Sequence, residues 1–483
     1  MKQKTMRTKI KPGSWILIAA IALTITACKS LKISYKTENK YTPSSYQSSK
    51  DTTNTAELQW KDFFKDPNLV SLIDTALKNN QELNIVMQEI NVAKSEVRGR
   101  KGEILPSAAV IAGAGVDKVG RYTRNGAVEE NLPIKDGQAF PEPFSDFMVG
   151  VNASWEVDIW RKLRNSRDAA TSRYLGTVEG KNFMVTNLVA EISNSYYELM
   201  AYDNKLEILK QNLEIQKNAL EIVKLQKTAG EVTELAVKKF EAEVYKNQSH
   251  LFYLKQQIIE AENRINFLVG RFPQPVQRNS AAFQQMVPDT IYSGIPSQLL
   301  QNRPDIRQAE REITASKLDV KVARANFYPS LRITAGVGYQ AFNVKYLITS
   351  PQSLLYNIAG DLIAPLINRN ALKAKYAYAN AKQVQSVYEY EKTILNAYIE
   401  VANRMSKITN LKSSYDYKQQ QVTALTQSIT ISTNLFKSAK ADYMEVLMTQ
   451  RDAIESKFEL IEIKQEQLSN MVSMYQALGG GWR

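Results

Sequence analysis

Cysteine and histidine are almost absent from the sequence, which contains one residue of each, Cys28 and His250. A chain with one cysteine cannot form an internal disulfide. It also lacks the ligands of a structural zinc site and the parts of a histidine-dependent nucleophilic site. No glycine-rich phosphate loop of the usual spacing precedes a helix. The sequence therefore predicts no enzyme, no metal site and no bound cofactor, and we expect His250 to be a surface residue.

Long hydrophobic runs are also missing beyond the N-terminal region. Charged residues make up 23% of the 483 residues and the mean hydropathy is −0.34, which excludes a bundle of transmembrane helices. The net charge is +13, but five basic residues within the first 28 positions account for part of it and leave +8. The other charges form no basic cluster, so we expect no nucleic-acid partner.

The first 28 residues have the composition of a targeting segment. Basic residues precede an apolar run from Trp15 to Ala27, and the run ends in Ile-Thr-Ala before Cys28. This ending is typical of a lipobox, in which the cysteine receives a covalent lipid. The alternative is an incidental thiol in a signal peptide that is cut elsewhere. We expect residues 1–27 to be removed and Cys28 to anchor the mature chain to a membrane surface.

The rest of the chain is a tandem duplication. The sequence around Pro106 matches that around Pro329 at an offset of 223, and the same offset relates residues 77–83 to 300–306. Two later heptad series are related by an offset of 209. The first copy therefore carries about 14 extra residues, which we place in 117–145, a stretch rich in proline and glycine and typical of an exposed loop.

The heptad series indicate two very long helices. The apolar positions recur every seven residues and predict a coiled-coil-like seam; they are Val185, Ile192, Leu199, Leu206, Leu213 and Leu220 in the first copy, and Ile394, Val401, Ile408, Tyr415, Val422, Ile429 and Phe436 in the second. The first helix is expected from about Arg161 to Thr228, which is roughly 100 Å. Gly230 ends it, and Ala439 occupies the equivalent position in the second copy.

Four segments are predicted to be strands: 107–116, 145–155, 331–341 and 353–364. Each is about ten residues long, the length that a tilted strand needs to cross a bilayer within a barrel. Four strands cannot close a conducting barrel, and lipid does not tolerate an open sheet edge. We therefore expect a mainly α-helical fold with β-strands whose chains assemble, as a trimer, into a twelve-stranded barrel.

The sequence resembles the outer-membrane factor family that includes TolC and OprM, and more closely its NodT-type lipoprotein branch. The resemblance covers nearly the whole mature chain. The motifs that carry it are the lipobox at Cys28, IPSQLLQNRPDI at 295–306, ANFYPS at 325–330, APLI at 364–367, DYMEVL at 442–447 and ALGGGW at 477–482. The resemblance implies a homotrimeric duct in the outer membrane with a long α-helical barrel in the periplasm. It also implies an inner-membrane pump and a periplasmic adaptor that docks at the helical tip.

The resemblance further assigns sites at that tip. Family ducts close at a narrow ring with acidic residues, and the position six residues after the second helix break is Glu445; an ordinary solvated carboxylate is the alternative. A second family acid is replaced by Met448, and Ala236 is the equivalent of Glu445 in the first copy. The adaptor contacts are expected on the two exposed turns, namely Lys227, Thr228, Gly230 and Glu231 in one, and Lys437, Ala439, Lys440 and Asp442 in the other.

The expected organisation is a signal peptide at 1–27, a lipidated segment and equatorial collar at 28–65, repeats at 66–270 and 295–478, a linker at 271–294 and a tail at 479–483. The predicted function is a passive exit duct for small molecules. Two alternatives stay open at this point: a duct for protein or polysaccharide secretion, and a structural coiled-coil lipoprotein without a conduit.

Overall fold

The computed structural model describes residues 36–46, 52–367, 369–438 and 440–483. The predictions for the signal segment, Cys28 and Ala439 lie outside these residues. The helices are α1 (Trp60–Phe63), α2 (Pro67–Asn79), α3 (Gln81–Gly102), α4 (Arg124–Asn131), α5 (Lys162–Thr228), α6 (Glu234–Val269), α7 (Leu299–Asn302), α8 (Pro304–Ala325), α9 (Asn370–Lys437) and α10 (Tyr443–Ala477). The strands are β1 (Ser107–Asp117), β2 (Pro133–Lys135), β3 (Gln138–Ala139), β4 (Phe144–Val157), β5 (Ser330–Ala341) and β6 (Leu354–Ile363).

The four predicted strands are confirmed and form one antiparallel sheet in the order β1-β4-β5-β6. The two hairpins share one register, because Ser107 lies opposite Ser154 in the first and the equivalent Ser330 lies opposite Ile363 in the second. β4 pairs with β5 and joins the two repeats at the centre of the sheet. β1 and β6 are the edges, and within the described residues each pairs on one side only.

The insertion at 117–145 was predicted to be an exposed loop, and it is mostly exposed but has regular structure. It contains the helix α4 and the β2-β3 hairpin. Thr123 caps α4, since its hydroxyl oxygen accepts a hydrogen bond from the amide of Gly126 at 3.1 Å. Side-chain capping of a helix of eight residues is a weak sequence signal beside the many proline and glycine residues around it.

Helix packing repeats the order of the strands at two further levels. In the level next to the sheet, the helices lie side by side in the order α3, α5, α8 and α9. In the level beyond it, the order is α6, α5, α10 and α9. The protein is thus a three-level wall with first-repeat elements along one flank and second-repeat elements along the other. No helix within the described residues is long and apolar enough to cross a membrane.

The two long helices differ in burial because of their places in this wall. The central helix α5 buries most of the first heptad series, including Ile192 and Leu199, which are fully buried. The flank helix α9 buries Ile394 and Val401 near the sheet, but Ile408 is exposed and the remaining positions are half-buried. The seam predicted from the second series is therefore only partly covered within one chain.

The largest apolar core lies between the two helical levels. The short helices α1 and α2 pack there against α5 and the C-terminal part of α10. Phe63 stacks on Tyr475 with ring centroids 4.0 Å apart, and Phe64 meets the same ring edge-on. The segment around Phe63 and the C-terminal part of α10 are thereby fastened to the middle of the wall.

Candidate functional site

The first of the two helix-to-helix turns follows α5 at the end of the wall that is farthest from the sheet. Gly230 adopts a φ of 79°, a left-handed conformation that favours glycine. The amide of Glu231 then donates to the carbonyl oxygen of Gln226 at 2.9 Å, which satisfies an otherwise unpaired group at the helix end. Lys227, Thr228, Gly230 and Glu231 are all exposed, so the turn presents both backbone and side chains to a partner.

The second turn, at the end of α9, makes the same closing hydrogen bond. The amide of Lys440 donates to the carbonyl oxygen of Leu435 at 2.9 Å, and both positions are 209 residues beyond their first-turn equivalents. Lys437, Lys440 and Asp442 are exposed. The turns therefore match in their closing bond, although the sequence has alanine in place of glycine at 439.

The two turns differ in electrostatics. In the first, Lys227 pairs with Glu234, and this hydrogen bond holds the pKa of the Glu234 carboxyl below its ordinary value. In the second, Lys437, Lys440 and Asp442 form no ion pair with any residue that the structure describes. The second turn therefore presents its charges unneutralised, whereas part of the charge of the first is internally compensated.

Glu445 lies in the first turn of α10 and is exposed. Within the described part of the chain it forms no ion pair, so its carboxylate is free to face water or a cation. Its neighbour Val446 is buried, and the nearby Tyr443 and Leu447 pack against the apolar core at the tip. This packing fixes the start of α10 and hence the position from which the Glu445 side chain projects. The equivalent Ala236 is instead fully buried in the same core.

His250 is half-buried, and not a free surface residue as expected. Its ring lies near Tyr253 and meets Phe458 edge-on with centroids 5.6 Å apart. Burial lowers the pKa of His250, and the positive charges of Lys205 and Lys246 lower it further. The histidine is therefore part of the packing between α6 and α10.

Arg303 lies within the 295–306 motif, but its structural role is not evident from the sequence. Its side chain is 9% exposed and hydrogen-bonds Asp305 at 2.8 and 3.1 Å, Glu400 at 2.9 Å and the carbonyl oxygen of Ala477 at 2.8 Å. Burial alone would lower the pKa of Arg303, but the hydrogen bond with Asp305 and the two carboxylate charges raise it above its ordinary value. Arg303 thus joins the start of α8, the middle of α9 and the end of α10.

A second arginine outside the predicted sites holds the linker. Arg278 bonds Asp203 on α5 and Glu262 on α6, each at 2.6 Å. Burial opposes the charge of Arg278, while these two carboxylates raise its pKa. No sequence motif marked this residue, because its partners lie 75 and 16 residues away.

The N-terminal strap, residues 36–46, lies along α8 and α9. Its ion pairs, with the strap residue first, are Lys36–Glu391, Glu38–Lys317 and Lys40–Glu310. The bonds from Lys317 and Lys36 lower the pKa of Glu38 and Glu391 respectively. Tyr46 ends the strap, fully buried and stacked on Tyr398. The strap runs from the level next to the sheet at Lys36 towards the middle of the wall at Tyr46.

Solved outer-membrane channels share this architecture. The chain superposes on the Neisseria gonorrhoeae MtrE outer membrane channel with a TM-score of 0.81 and 22% identity, over 94% of this chain and 99% of that one. It superposes on a CusC structure with a TM-score of 0.80 and 23% identity, over 93% and 99%. These similarities define the class of protein by its fold: a mainly helical channel chain with a four-stranded antiparallel sheet.

The family follows from the sequence. The model described as "Outer membrane efflux protein" matches residues 72–271 and 295–480, so the chain belongs to that family. It is 26% identical to the cation efflux system protein CusC of Escherichia coli over 97% of this chain and 99% of that protein. It is 27% identical to the pyoverdine export outer membrane protein OpmQ of Pseudomonas aeruginosa over 88% of each. The chain is an outer-membrane channel of an efflux system and not an enzyme.

Proposed function

We propose that three copies of the chain form a passive exit duct, and the three-level order of the wall carries this proposal. One flank of the wall is formed by β1, α3 and α6. The other flank is formed by β6 and by α9, which belongs to both helical levels. The two flanks are different surfaces. A head-to-tail contact between them generates a ring when the rotation from copy to copy closes, which for three copies is about 120°. Both flanks bear large apolar side chains that are more than half exposed, namely Ile85, Val92, Tyr245, Phe252, Tyr253 and Phe267 on one, and Tyr378, Tyr388, Leu395, Tyr417 and Ile431 on the other.

The sheet edges give the second reason for assembly. Unpaired backbone groups cost several kcal/mol each in hydrocarbon, so strands cross lipid only in closed barrels. Three sheets of four strands make a barrel of twelve. Native mass spectrometry of the purified protein in detergent should give three chains per particle, and a monomeric mass would contradict the proposal.

The strap supports a lipid anchor at Cys28. The side chain of Gln383 donates a hydrogen bond to the carbonyl oxygen of Lys36 at 3.0 Å. Gln383 is 13 residues from the start of α9, which is about 20 Å from the sheet end of the wall. A segment of eight residues can span up to about 27 Å, so the sequence distance from Lys36 to Cys28 is long enough for Cys28 to reach the membrane surface. Mass spectrometry should find a lipid on Cys28, and Cys28→Ser should remove it while leaving trimers; an unmodified mature chain would contradict this.

The segment boundaries expected from the sequence are part of the proposal. Residues 28–65, the linker 271–294 and the tail 479–483 would form an equatorial collar around the repeats 66–270 and 295–478. The Arg278 network and the Phe63–Tyr475 stack support it, since they fasten the linker and the chain ends to the same level. Deletion of 479–483 should lower the melting temperature of the trimer, whereas removal of residues 36–40 should affect it less.

Small molecules are the proposed cargo, with selection made by the inner-membrane pump. The relatives differ in cargo by their names: cation efflux for CusC, pyoverdine export for OpmQ and toluene efflux for TtgI of Pseudomonas putida. Related ducts thus serve unlike substrates, which fits a permissive wall. Deletion of the gene should sensitise cells to the same compounds as deletion of the partner pump. Loss of polypeptide secretion, without such sensitisation, would favour the alternative of a secretion duct.

The two turns are the proposed docking site of a periplasmic adaptor protein. They are exposed, share a closing hydrogen bond and lie at the end of the wall opposite the sheet. Serine substitutions at Lys227, Lys437 and Lys440 should weaken capture of the adaptor while leaving the trimer intact. The matched control places serine at Arg124 and Glu129 on α4, at the opposite end of the protein; equal loss in the control would argue against the turns.

Glu445 is the proposed constriction residue. Three carboxylates around one axis would favour cations and bind multivalent ions, while the unpaired Lys437 and Lys440 could offset them. In planar bilayers the closed duct should prefer cations and be blocked by trivalent cations from the periplasmic side. Glu445→Ala should relieve the block. The control is Glu455→Ala, an exposed acid about 15 Å further along α10; unchanged block in Glu445→Ala would place the acidic ring elsewhere.

A further inference from the structure

Two loops meet at the end of the sheet that is opposite the long helices. One is the insertion at 117–145 between β1 and β4, and the other is the loop 342–353 between β5 and β6. They are neighbours because β4 pairs with β5. They meet at the ring of Tyr346, whose centroid lies 4.8 Å from the ammonium nitrogen of Lys135 and 4.7 Å from that of Lys345. Each repeat therefore contributes one lysine to the same ring.

Local structure holds the two lysines in this arrangement. Lys135 ends β2, which is paired with β3 in a hairpin. In the other loop, the amide of Lys345 donates to the side chain of Asn343 at 3.0 Å. The carbonyl oxygen of Tyr346 accepts a hydrogen bond from the hydroxyl of Ser353 at 2.7 Å. The backbone of each loop is thus fixed by its own hydrogen bonds, and the lysines converge because of where the loops lie.

The positive charges of the two lysines are not neutralised. Lys135 and Lys345 form no ion pair with any residue in the described part of the chain, and Asp136, which follows Lys135 directly, pairs with neither. Both ammonium groups lie near one ring, so they are within about 10 Å of each other. Like charges at this distance repel, and an anion placed between them would be attracted by both.

Other basic residues of the same insertion are compensated within the chain. Lys118 and Arg121 both pair with Glu142, at 2.8 Å and 3.3 Å. Arg121 also lies 3.8 Å from Glu130. All of these side chains are exposed, as are Lys135 and Lys345. The lysines at Tyr346 therefore differ from their basic neighbours in lacking a carboxylate partner and not in their access to solvent.

Exposed apolar side chains accompany the lysines in both loops. Val344 and Ile348, on either side of Lys345 in the sequence, are more than half exposed, and so is Leu132, three residues before Lys135. Contact between apolar side chains and water is unfavourable. A surface that combines basic and apolar residues is typical of the boundary between headgroups and acyl chains in a membrane. Lysine side chains reach from such a boundary to the charged headgroups.

We propose that Lys135 and Lys345, with the apolar residues beside them, bind a phosphate-bearing lipid of the outer leaflet. The inference rests on the proposed barrel, which places the ends of the strands, and hence these loops, at the membrane surface. The phosphate oxygens accept charge-assisted hydrogen bonds from the two ammonium groups, while acyl chains cover Val344, Ile348 and Leu132. Free phosphate would satisfy the lysines but leave the apolar side chains in water, so a lipid fits both features.

Native mass spectrometry of the full-length protein in a non-ionic detergent measures lipid binding and oligomeric state together. The probes are lipid A with two phosphates, the same lipid after removal of both phosphates, and inorganic phosphate. Phosphorylated lipid A should bind the trimer at least tenfold more tightly than the dephosphorylated lipid. Inorganic phosphate in hundredfold excess should not displace it. Equal binding of the two lipids, or displacement by inorganic phosphate, would overturn the proposal.

Charge removal tests the two lysines. Lys135→Gln combined with Lys345→Gln should lower the affinity for phosphorylated lipid A at least tenfold. The matched control is Lys118→Gln combined with Arg121→Gln, which removes two positive charges that Glu142 already compensates. Its affinity should stay within twofold of the wild type. An equal loss in the control would mean that the net charge of the loops attracts the lipid, and would overturn the site.

The apolar contribution is tested separately. Val344→Ser combined with Ile348→Ser keeps both lysines and should also weaken the binding of phosphorylated lipid A, because the acyl chains lose their contact. Trimers with unchanged binding in either the lysine variant or this apolar variant would overturn the lipid site and leave the proposed assembly standing. Monomeric particles of the wild type would instead overturn the proposed trimeric barrel, on which the inference rests.

Discussion

Loss of the Arg303 side chain should destabilise the protein more than loss of any exposed ion pair. Four hydrogen bonds of 2.8 to 3.1 Å converge on a guanidinium that is 9% exposed. Arg303→Ala leaves two carboxylates and one carbonyl oxygen without their donor. Removal of one partner from a fully buried ion pair costs about 3–5 kcal/mol, because the remaining charge stays buried and unpaired. The side chains of Asp305 and Glu400 are 18% and 34% exposed, so water screens part of this cost and the range is an upper bound here.

The expected change in melting temperature follows from the size of the chain. At about 2.1 cal/mol/K per residue, a cooperative unit of roughly 450 residues loses about 1 °C for each kcal/mol. Arg303→Ala should therefore melt up to about 3–5 °C below the wild type when far-UV circular dichroism of the detergent-purified protein is followed at a fixed heating rate. Arg303→Lys should fall between the two, since it keeps the charge and loses the forked geometry.

A variant that lacks all three charges separates the cost of unpaired carboxylates from the cost of lost packing. The triple substitution Arg303→Met, Asp305→Asn and Glu400→Gln removes the guanidinium and both carboxylates, so it should recover much of the loss. A melting temperature of Arg303→Ala within 1 °C of the wild type, or a triple variant worse than Arg303→Ala, would refute this reasoning.

Gly479→Ala should cost about 1–3 kcal/mol and lower the melting temperature, because φ is 92° there and a Cβ would lie 2.5 Å from a backbone carbonyl oxygen. The strap should detach in acid: the bond from Lys36 lowers the pKa of Glu391, so the pair stabilises the fold above about pH 4.5 and is lost as the pH falls through the lowered pKa. Hydrogen exchange of the strap, corrected for intrinsic rates, should become faster below that pH. The variant Glu391→Gln should show the faster exchange already at neutral pH. An exchange rate that does not change with pH would contradict this prediction.

Much of the fold was readable from the sequence because its signals are local or periodic. The observed α5 begins and ends within one residue of its predicted bounds, since a heptad series and Gly230 mark it. The four strands of the main sheet follow from their length and from the flanking prolines. The duplication also predicted that the repeats would match, and the shared register of the two hairpins confirms it. These features depend on residues close together in the chain or related by a constant offset.

The tertiary structure alone decided how equivalent sequences are used. The two heptad series look alike, yet α5 is buried between neighbours on both sides while α9 lies on a flank and keeps Ile408 exposed. The ion network of Arg303 was equally hidden, because Glu400 lies 97 residues away and Ala477 lies 174 residues away. Burial and pairing depend on which elements meet in space, and a repeated sequence gives both copies the same local preference but different neighbours.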